Sequence, residues 1–104
     1  MRFSVIVPTR GRPEALRACL ESLVALEYPR AEYEVIVVDD GAGVDPGLID
    51  AVAGRMRARL IEQEHLGPAT ARNRGVMAAL GEVIAFTDDD CTVDPTWLTA
   101  RRRR

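Results

Sequence analysis

The feature that most constrains the fold is a short apolar run, Val83–Phe86, that leads through Thr87 into three consecutive carboxylates, Asp88–Asp90. An apolar run of this length that contains β-branched and aromatic residues is typical of a buried strand. The acids then lie at the carboxyl end of that strand, where open α/β sheets bind their ligands. Adjacent carboxylates repel one another unless a cation or solvent compensates their charge, so the stretch predicts a cation site.

Oxygen-only ligands favour a hard cation such as Mg²⁺ or Mn²⁺ over zinc. In an extended chain Asp88 and Asp90 point to one side and Asp89 to the other. We therefore expect Asp88 and Asp90 to hold a divalent metal and Asp89 to make a different contact. The alternative is a solvated acidic loop, in which Asp94 caps the next helix.

The rest of the chain alternates strand and helix patterns. Strands are predicted at residues 3–7, 33–38, 59–62 and 83–86, and helices at 13–26, from Pro46 onward, and at about 69–80. This order predicts an α/β fold with a mainly parallel sheet and helices on both faces. Right-handed crossovers favour the strand order 3-2-1-4. Pro8 is expected to end the first strand, and Gly81 to cap the third helix.

Three polar clusters follow three of these strands: Pro8–Thr9, Asp39–Asp40 and Asp88–Asp90. In a parallel sheet they meet at the carboxyl edge, around the switch point between the first and fourth strands. A crevice with a metal-binding acid pair suits a nucleotide diphosphate, whose phosphates the metal bridges. Asp39 or Asp40 can accept from a base N–H or a ribose hydroxyl. Arg72 in the third helix either faces phosphate or belongs to a solvated helix face.

Composition limits the alternatives. A chain of 104 residues with 47% hydrophobic residues is enough for one small domain with a core. It contains no apolar run near membrane-spanning length and no signal-peptide pattern, so we expect a cytoplasmic chain. Cys19 and Cys91 lack metal-site spacing and are expected to be buried or half-buried. His65 is the single histidine and has no second histidine to share a metal with.

All 14 basic residues are arginine, and four of them form the run Arg101–Arg104. Without that run, 10 basic residues stand against 16 acidic ones, a balance of −6. A basic run can bind nucleic acid or a membrane, but this one lacks interleaved aromatics. We therefore expect no nucleic-acid partner, and interpret residues 101–104 as a truncation artefact after a domain at residues 1–100.

Four segments, in the right order, resemble motifs of the family 2 glycosyltransferases, which are GT-A-type nucleotide-sugar enzymes. They are Phe3–Arg10, which resembles the opening strand and loop; Val37–Gly41, the second-strand acid motif; Gly67–Gly75, the Arg-Asn-x-Gly helix; and Thr87–Asp90, the metal-binding Asp-x-Asp. The resemblance covers nearly the whole chain. It implies the Rossmann-like, donor-binding half of a GT-A fold, and an inverting transfer of a sugar from a nucleotide diphosphate to an acceptor hydroxyl.

The resemblance also implies roles for individual residues. Asp90 would be the principal protein ligand of Mn²⁺ or Mg²⁺, while Asp88 and Asp89 would contact ribose and sugar. The other implied residues line the base pocket, contact base or ribose, or form and hold a wall of the nucleotide-sugar site. In chain order they are Pro8, Thr9, Arg10, Asp39, Asp40, Gly67, Pro68, Arg72 and Asn73.

The chain departs from the family in one large respect. In the family, a second half follows the Asp-x-Asp segment and carries the acceptor site and the carboxylate that acts as general base. An inverting displacement needs such a base within hydrogen-bond reach of the acceptor. This chain stops 14 residues after Asp90, and Asp94 is too close to the metal loop to serve. We therefore expect the donor-binding half to be inactive alone, with the general base beyond the end of the chain.

Other families fit less well. Asp88–Thr92 also matches the Asp-x-Asp-x-Thr of haloacid-dehalogenase-type phosphatases, but there the nucleophile strand comes early and a lysine is essential, and this chain has no lysine. A receiver domain fails for the same reason, and a dinucleotide-binding module would need Gly-x-Gly-x-x-Gly after the first strand. The alternative from another class is a non-catalytic nucleotide-binding or structural half-domain. An open sheet edge also makes self-association plausible.

Overall fold

The computed structural model describes residues 1–102 and contains one four-stranded parallel sheet with the strand order β3-β2-β1-β4. The strands are β1 (Phe3–Thr9), β2 (Tyr33–Asp40), β3 (Arg57–Gln63) and β4 (Val83–Phe86). The helices are α1 (Pro13–Val24), α2 (Pro46–Ala53), α3 (Pro68–Ala78) and α4 (Trp97–Arg102). The predicted α/β class, strand order and parallel sheet are confirmed. Of the predicted tail, residues 103 and 104 lie outside the described residues.

The two faces of the sheet bury different halves of each strand, because successive side chains point to opposite sides. Val5, Val7 and Val35 pack with α1, α2 and Leu98 of α4 in the larger core. Ile6 and Ile36 pack on the other face, against Ala71 of α3. Helices therefore cover both faces, as predicted. None of the helices in residues 1–102 combines the length and apolar composition needed to cross a membrane.

The prediction that Pro8 ends the first strand is wrong, because β1 continues to Thr9 and pairs there with Asp39 of β2. The amide of Thr87 donates to the Ile6 carbonyl, so Ile6 directs its backbone groups toward β4. Pro8 lies two residues further on and faces the same way. Since β4 ends at Phe86, opposite Ile6, a ladder bond from position 8 is not required and the proline is tolerated.

The prediction that α3 reaches Leu80 and ends at Gly81 is also wrong, because the helix ends at Ala78. The chain leaves the helix to satisfy the buried carboxylate of Glu34 at the amino edge of the sheet. The Leu80 amide donates to Glu34 at 2.7 Å, and the Gly81 amide donates to the Ser4 hydroxyl, which itself donates to Glu34 at 2.6 Å. Burial alone would raise the pKa of Glu34, but the hydrogen bonds from Ser4, Leu80 and Arg59 hold it below its ordinary value.

Candidate functional site

A pocket of about 420 Å³ opens at the carboxyl edge of the sheet, where β1, β2 and β4 end; we call it the carboxyl-edge pocket. It lies around the carboxyl ends of β1 and β4, at the predicted switch point. Its lining comes from the last residues of β1 and β2, the loops after β1, β3 and β4, and the first turns of α3. The lining residues are Pro8, Thr9, Arg10, Arg12, Asp40, His65, Pro68, Ala71, Arg72, Asp88, Asp89 and Asp90.

The three aspartates lie in a tight turn rather than in an extended strand. The Cys91 amide donates to the Asp88 carbonyl at 3.2 Å, closing residues Asp88–Cys91 into what we call the acid turn. The turn still separates the acids as the sequence predicts: Asp88 and Asp90 are exposed, whereas Asp89 is buried. The reason differs from the predicted one, because a turn and not a β pleat directs the side chains.

The side chain of Asp89 is fixed by contacts with the end of β1 and with the loop that follows it. The Thr9 hydroxyl donates to an Asp89 oxygen at 2.8 Å, and the Arg12 guanidinium lies 3.5 Å from the other oxygen. The same Arg12 nitrogen lies 3.2 Å from Asp90. One arginine from the β1–α1 loop thus offsets part of the charge of two neighbouring carboxylates.

The outer side of the acid turn offers a metal donor set. One ligand atom from each of Asp88, Asp90 and Cys91 lies within 4.8 Å of the others, and all three residues are exposed. A cation such as Mg²⁺ uses one or two carboxylates and leaves its remaining positions to water and phosphate oxygens. The donor set therefore fits a divalent metal at the two acids predicted for it, with the Cys91 sulfur as an unpredicted neighbour.

Asp40 carries the other buried carboxylate of the pocket, and its side chain is only 6% exposed. It accepts hydrogen bonds from the Gln63 amide at 2.9 Å, the Leu66 backbone amide at 2.8 Å and the Gly67 backbone amide at 3.2 Å. His65 Nδ1 lies 3.0 Å from its second oxygen. The bond from Gln63 and the other bonds outweigh burial and lower the pKa of Asp40 to about 2.

The neighbouring Asp39 has a different environment. Its carboxylate accepts from the backbone amides of Ala42, Gly43 and Val44 at 2.8 to 3.0 Å. It shapes the loop between β2 and α2 and lies outside the lining of the carboxyl-edge pocket. The two adjacent acids therefore have separate structural positions, which the sequence alone left unresolved.

Most of the predicted site residues meet in this one pocket. Asp39, Gly67 and Asn73 lie outside its lining, although the Gly67 amide contacts Asp40. Sequence reasoning missed Arg12, His65 and Ala71 as lining residues. Arg12 could have been predicted from the sequence, because it follows Arg10 by two residues in the same loop. No sequence signal indicates His65, because its position depends on the contact with Asp40.

Cys91, predicted to be at least half-buried, is exposed because it lies on the outer side of the turn.

A model of the family described as "Glycosyl transferase family 2" matches residues 4–101 of this chain. The chain belongs to glycosyl transferase family 2. Glycosyltransferase AglE of Haloferax volcanii is similar: it is 36% identical over 98 residues, which cover 91% of this chain and 32% of that protein. The resemblance read from four sequence motifs is thereby confirmed.

Two solved structures of glycosyltransferases share the fold. Staphylococcus aureus TarS 1-349, in complex with UDP-GlcNAc, superposes with a TM-score of 0.89 and is 31% identical; the match covers 99% of this chain and 30% of that one. Mannosyltransferase PcManGT from Pyrobaculum calidifontis, in complex with GDP-Man and Mn²⁺, gives a TM-score of 0.82 at 31% identity, covering 93% and 32%. This family 2 chain therefore spans about a third of the length of these relatives.

Proposed function

We propose that this family 2 chain binds a nucleotide-diphosphate sugar in the carboxyl-edge pocket, as the donor side of a glycosyl transfer that inverts the anomeric carbon. The observation that carries the proposal is the pocket itself, which places the buried Asp40 carboxylate, the arginines Arg10 and Arg72, and the acid turn around one cavity of about 420 Å³. Two solved relatives, TarS 1-349 in complex with UDP-GlcNAc and PcManGT in complex with GDP-Man, support the same ligand class.

The two ends of the pocket suit the two ends of such a ligand. Because β1 lies between β2 and β4, Asp40 and the acid turn are two strand spacings apart, about 10 Å. We assign the diphosphate to the acid turn and the nucleoside to the end at Asp40 and Pro68. Asp90 and Asp88 would hold Mn²⁺ or Mg²⁺, which when bound neutralises charge on the leaving diphosphate.

We assign only the donor side of the reaction to these 104 residues. Proton removal from the acceptor hydroxyl requires a base within hydrogen-bond reach of it, and we place that base in sequence outside this chain, so the chain alone is expected to bind donor without transferring sugar. Three further expectations stay predictions. They are the cytoplasmic location, the interpretation of residues 101–104 as a truncation artefact, and self-association at an open sheet edge.

Calorimetric titration of the chain with UDP-GlcNAc and with GDP-mannose, each in Mn²⁺, in Mg²⁺ and in a chelator, tests the proposal. We expect saturable binding of at least one donor that is stronger with a divalent metal. The rival function is a structural half-domain. Absence of binding of every nucleotide under all three conditions would contradict the proposal and favour that rival.

A second titration separates the two ends of the pocket. Asp40→Ala should weaken nucleotide binding by about tenfold, because groups that donate to this carboxylate lose their acceptor. It should leave Mn²⁺ affinity nearly unchanged, since Asp40 is two strands away from the acid turn. An equal loss of metal binding would contradict the assignment of base and metal ends.

A further inference from the structure

The carboxylate of Asp40 is fully engaged by the protein. An ionised carboxylate only accepts hydrogen bonds and offers about four lone-pair sites. Four groups donate to it: the Gln63 side chain, the backbone amides of Leu66 and Gly67, and the ring of His65. A base that enters the pocket therefore meets an acceptor whose capacity is already used within the fold.

His65 offers the next acceptor at this end of the pocket. Because Asp40 is ionised and cannot donate, the hydrogen between the two side chains belongs to Nδ1 of His65. In the neutral ring, Nε2 is then an acceptor. The side chain is 58% exposed and lines the pocket, so this nitrogen is accessible to a ligand.

The backbone around His65 is closely positioned. Gly41 follows Asp40 with a φ of +86°, and a Cβ placed there would lie 2.7 Å from the His65 backbone nitrogen. The loop from Glu64 to Gly67 therefore packs directly on the turn after β2, while two of its amides bond to Asp40. The histidine ring is thus carried by a segment that is fixed at both its backbone and its side chain.

We propose that His65 reads the nucleobase, accepting at Nε2 a ring N–H that lies next to a carbonyl, as in uracil and guanine. The proposal rests on the donor-binding function proposed above and names the class of donor. Arg72 lines the same pocket and can only donate, which suits the adjacent carbonyl. Asp40 then acts as a positioning residue that fixes the tautomer of His65.

Cytosine and adenine present the opposite pattern. At the corresponding ring position they carry an acceptor nitrogen, and an amino group replaces the carbonyl. His65 Nε2 would then face a second acceptor, and Arg72 a second donor. A site built to hydrogen-bond one pattern rejects the other strongly, since its polar groups are left unpaired.

Calorimetry with matched pairs of nucleotides in saturating Mn²⁺ tests this inference: UDP against CDP, and GDP against ADP. We expect the wild type to prefer UDP over CDP, GDP over ADP, or both, by about tenfold or more. His65→Phe keeps an aromatic ring at this position but removes both ring nitrogens, and with them the acceptor at Nε2, so that preference should fall to near unity. Glu64→Ala, at an exposed neighbour outside the pocket lining, should leave it unchanged.

A spectroscopic readout is independent of the variant. His65 is the chain's single histidine, so its ring nitrogens give the only imidazole ¹⁵N signals. Binding of UDP without metal should shift Nε2 and leave Nδ1 protonated. The inference is overturned if Nε2 does not respond, if wild type binds both members of each pair equally, or if His65→Phe keeps the preference. Equal binding of all four nucleotides would still leave the donor-binding function standing, whereas no binding of any would remove both.

Discussion

Thr9 and Asp89 are 80 positions apart in the chain and are joined by a hydrogen bond of 2.8 Å between the threonine hydroxyl and a carboxylate oxygen. Both residues are buried. The bond fastens the acid turn to the end of β1 and directs the middle carboxylate inward. Asp88 and Asp90 are therefore left on the outer side, where their oxygens can share a cation.

Thr9→Val removes this donor while keeping the side-chain shape. The buried Asp89 carboxylate would lose its shortest hydrogen bond, so we expect the free energy of unfolding to fall by about 1–3 kcal/mol and Mn²⁺-dependent nucleotide binding to weaken. Denaturant unfolding measures the first effect. Thr87→Val is the matched control, because the Thr87 hydroxyl makes a single long contact, 3.5 Å, to the Asp88 carbonyl. Equal stability of the two variants would contradict the role given to Thr9.

Asp40 should make the fold sensitive to acid. Its pKa is about 2 in the folded chain against an ordinary value of 3.8, with the hydrogen bond from Gln63 as the largest cause. Between these values the unfolded chain takes up a proton that the folded chain does not, so the contribution is complete above 3.8 and is lost as the pH falls toward 2. The stability difference between wild type and Asp40→Asn, measured by urea unfolding, should shrink over that interval. A difference that stays constant would count against the account.

Gly75 is the glycine of the Arg-Asn-x-Gly segment, and packing explains it. A Cβ at this position would lie 2.4 Å from Cγ2 of Ile6, in the middle of β1. We expect Gly75→Ala to destabilise the fold by about 1–3 kcal/mol, the usual cost of overpacking a core. Gly54→Ala is the control, because a Cβ there meets nothing within 4 Å. Thermal unfolding of both variants checks this, and a neutral Gly75→Ala would show that α3 can move away from the sheet.

The two cysteines should differ in reactivity. Burial, followed by the charges of Asp89 and the rest of the acid turn, raises the pKa of Cys19 to about 12, and the thiolate is the reactive form. Cys91 is exposed. Mass spectrometry after iodoacetamide treatment should find only Cys91 modified in the native chain and both modified in denaturant. Modification of Cys19 at the rate of Cys91 under native conditions would refute its burial.

The sequence predicts those features of the fold that depend on local pattern. Apolar runs and helical periodicity place the four strands and three of the four helices, and the right-handed crossover rule orders the sheet. The sequence does not predict features that depend on the register between distant segments. Pro8 is tolerated only because β4 ends opposite Ile6, and α3 ends early because the Leu80 amide after it donates to Glu34.

The same distinction applies to the site. Nine of the predicted residues lie in one pocket because they lie at or just after the carboxyl ends of parallel strands or in the first turns of α3. Asp39 and Asp40 look equivalent in sequence, yet one binds the backbone of its own loop and the other binds Gln63 and the loop before α3. Arg12 and His65 enter the pocket through contacts with acids that are 78 and 25 positions away. No local pattern encodes those separations.

We expect Asp90 to hold a divalent metal that helps bind a nucleoside diphosphate. Asp90→Asn keeps the size of the side chain and removes its charge. Asp94→Asn is the matched control, because the Asp94 carboxylate, four residues after Asp90, accepts hydrogen bonds from Thr96 and lies outside the pocket lining. Metal-independent contacts at Thr9 and the Asp40–His65 end should survive in both variants.

The decisive measurement is the affinity for UDP and GDP by calorimetry, with and without Mn²⁺, for wild type, Asp90→Asn and Asp94→Asn. We predict that Mn²⁺ strengthens binding of at least one nucleotide to wild type and to Asp94→Asn, and that Asp90→Asn retains only the weaker, metal-independent binding. If Mn²⁺ makes no difference to nucleotide binding by the wild type, the three aspartates are a solvated acidic loop and the metal site does not exist.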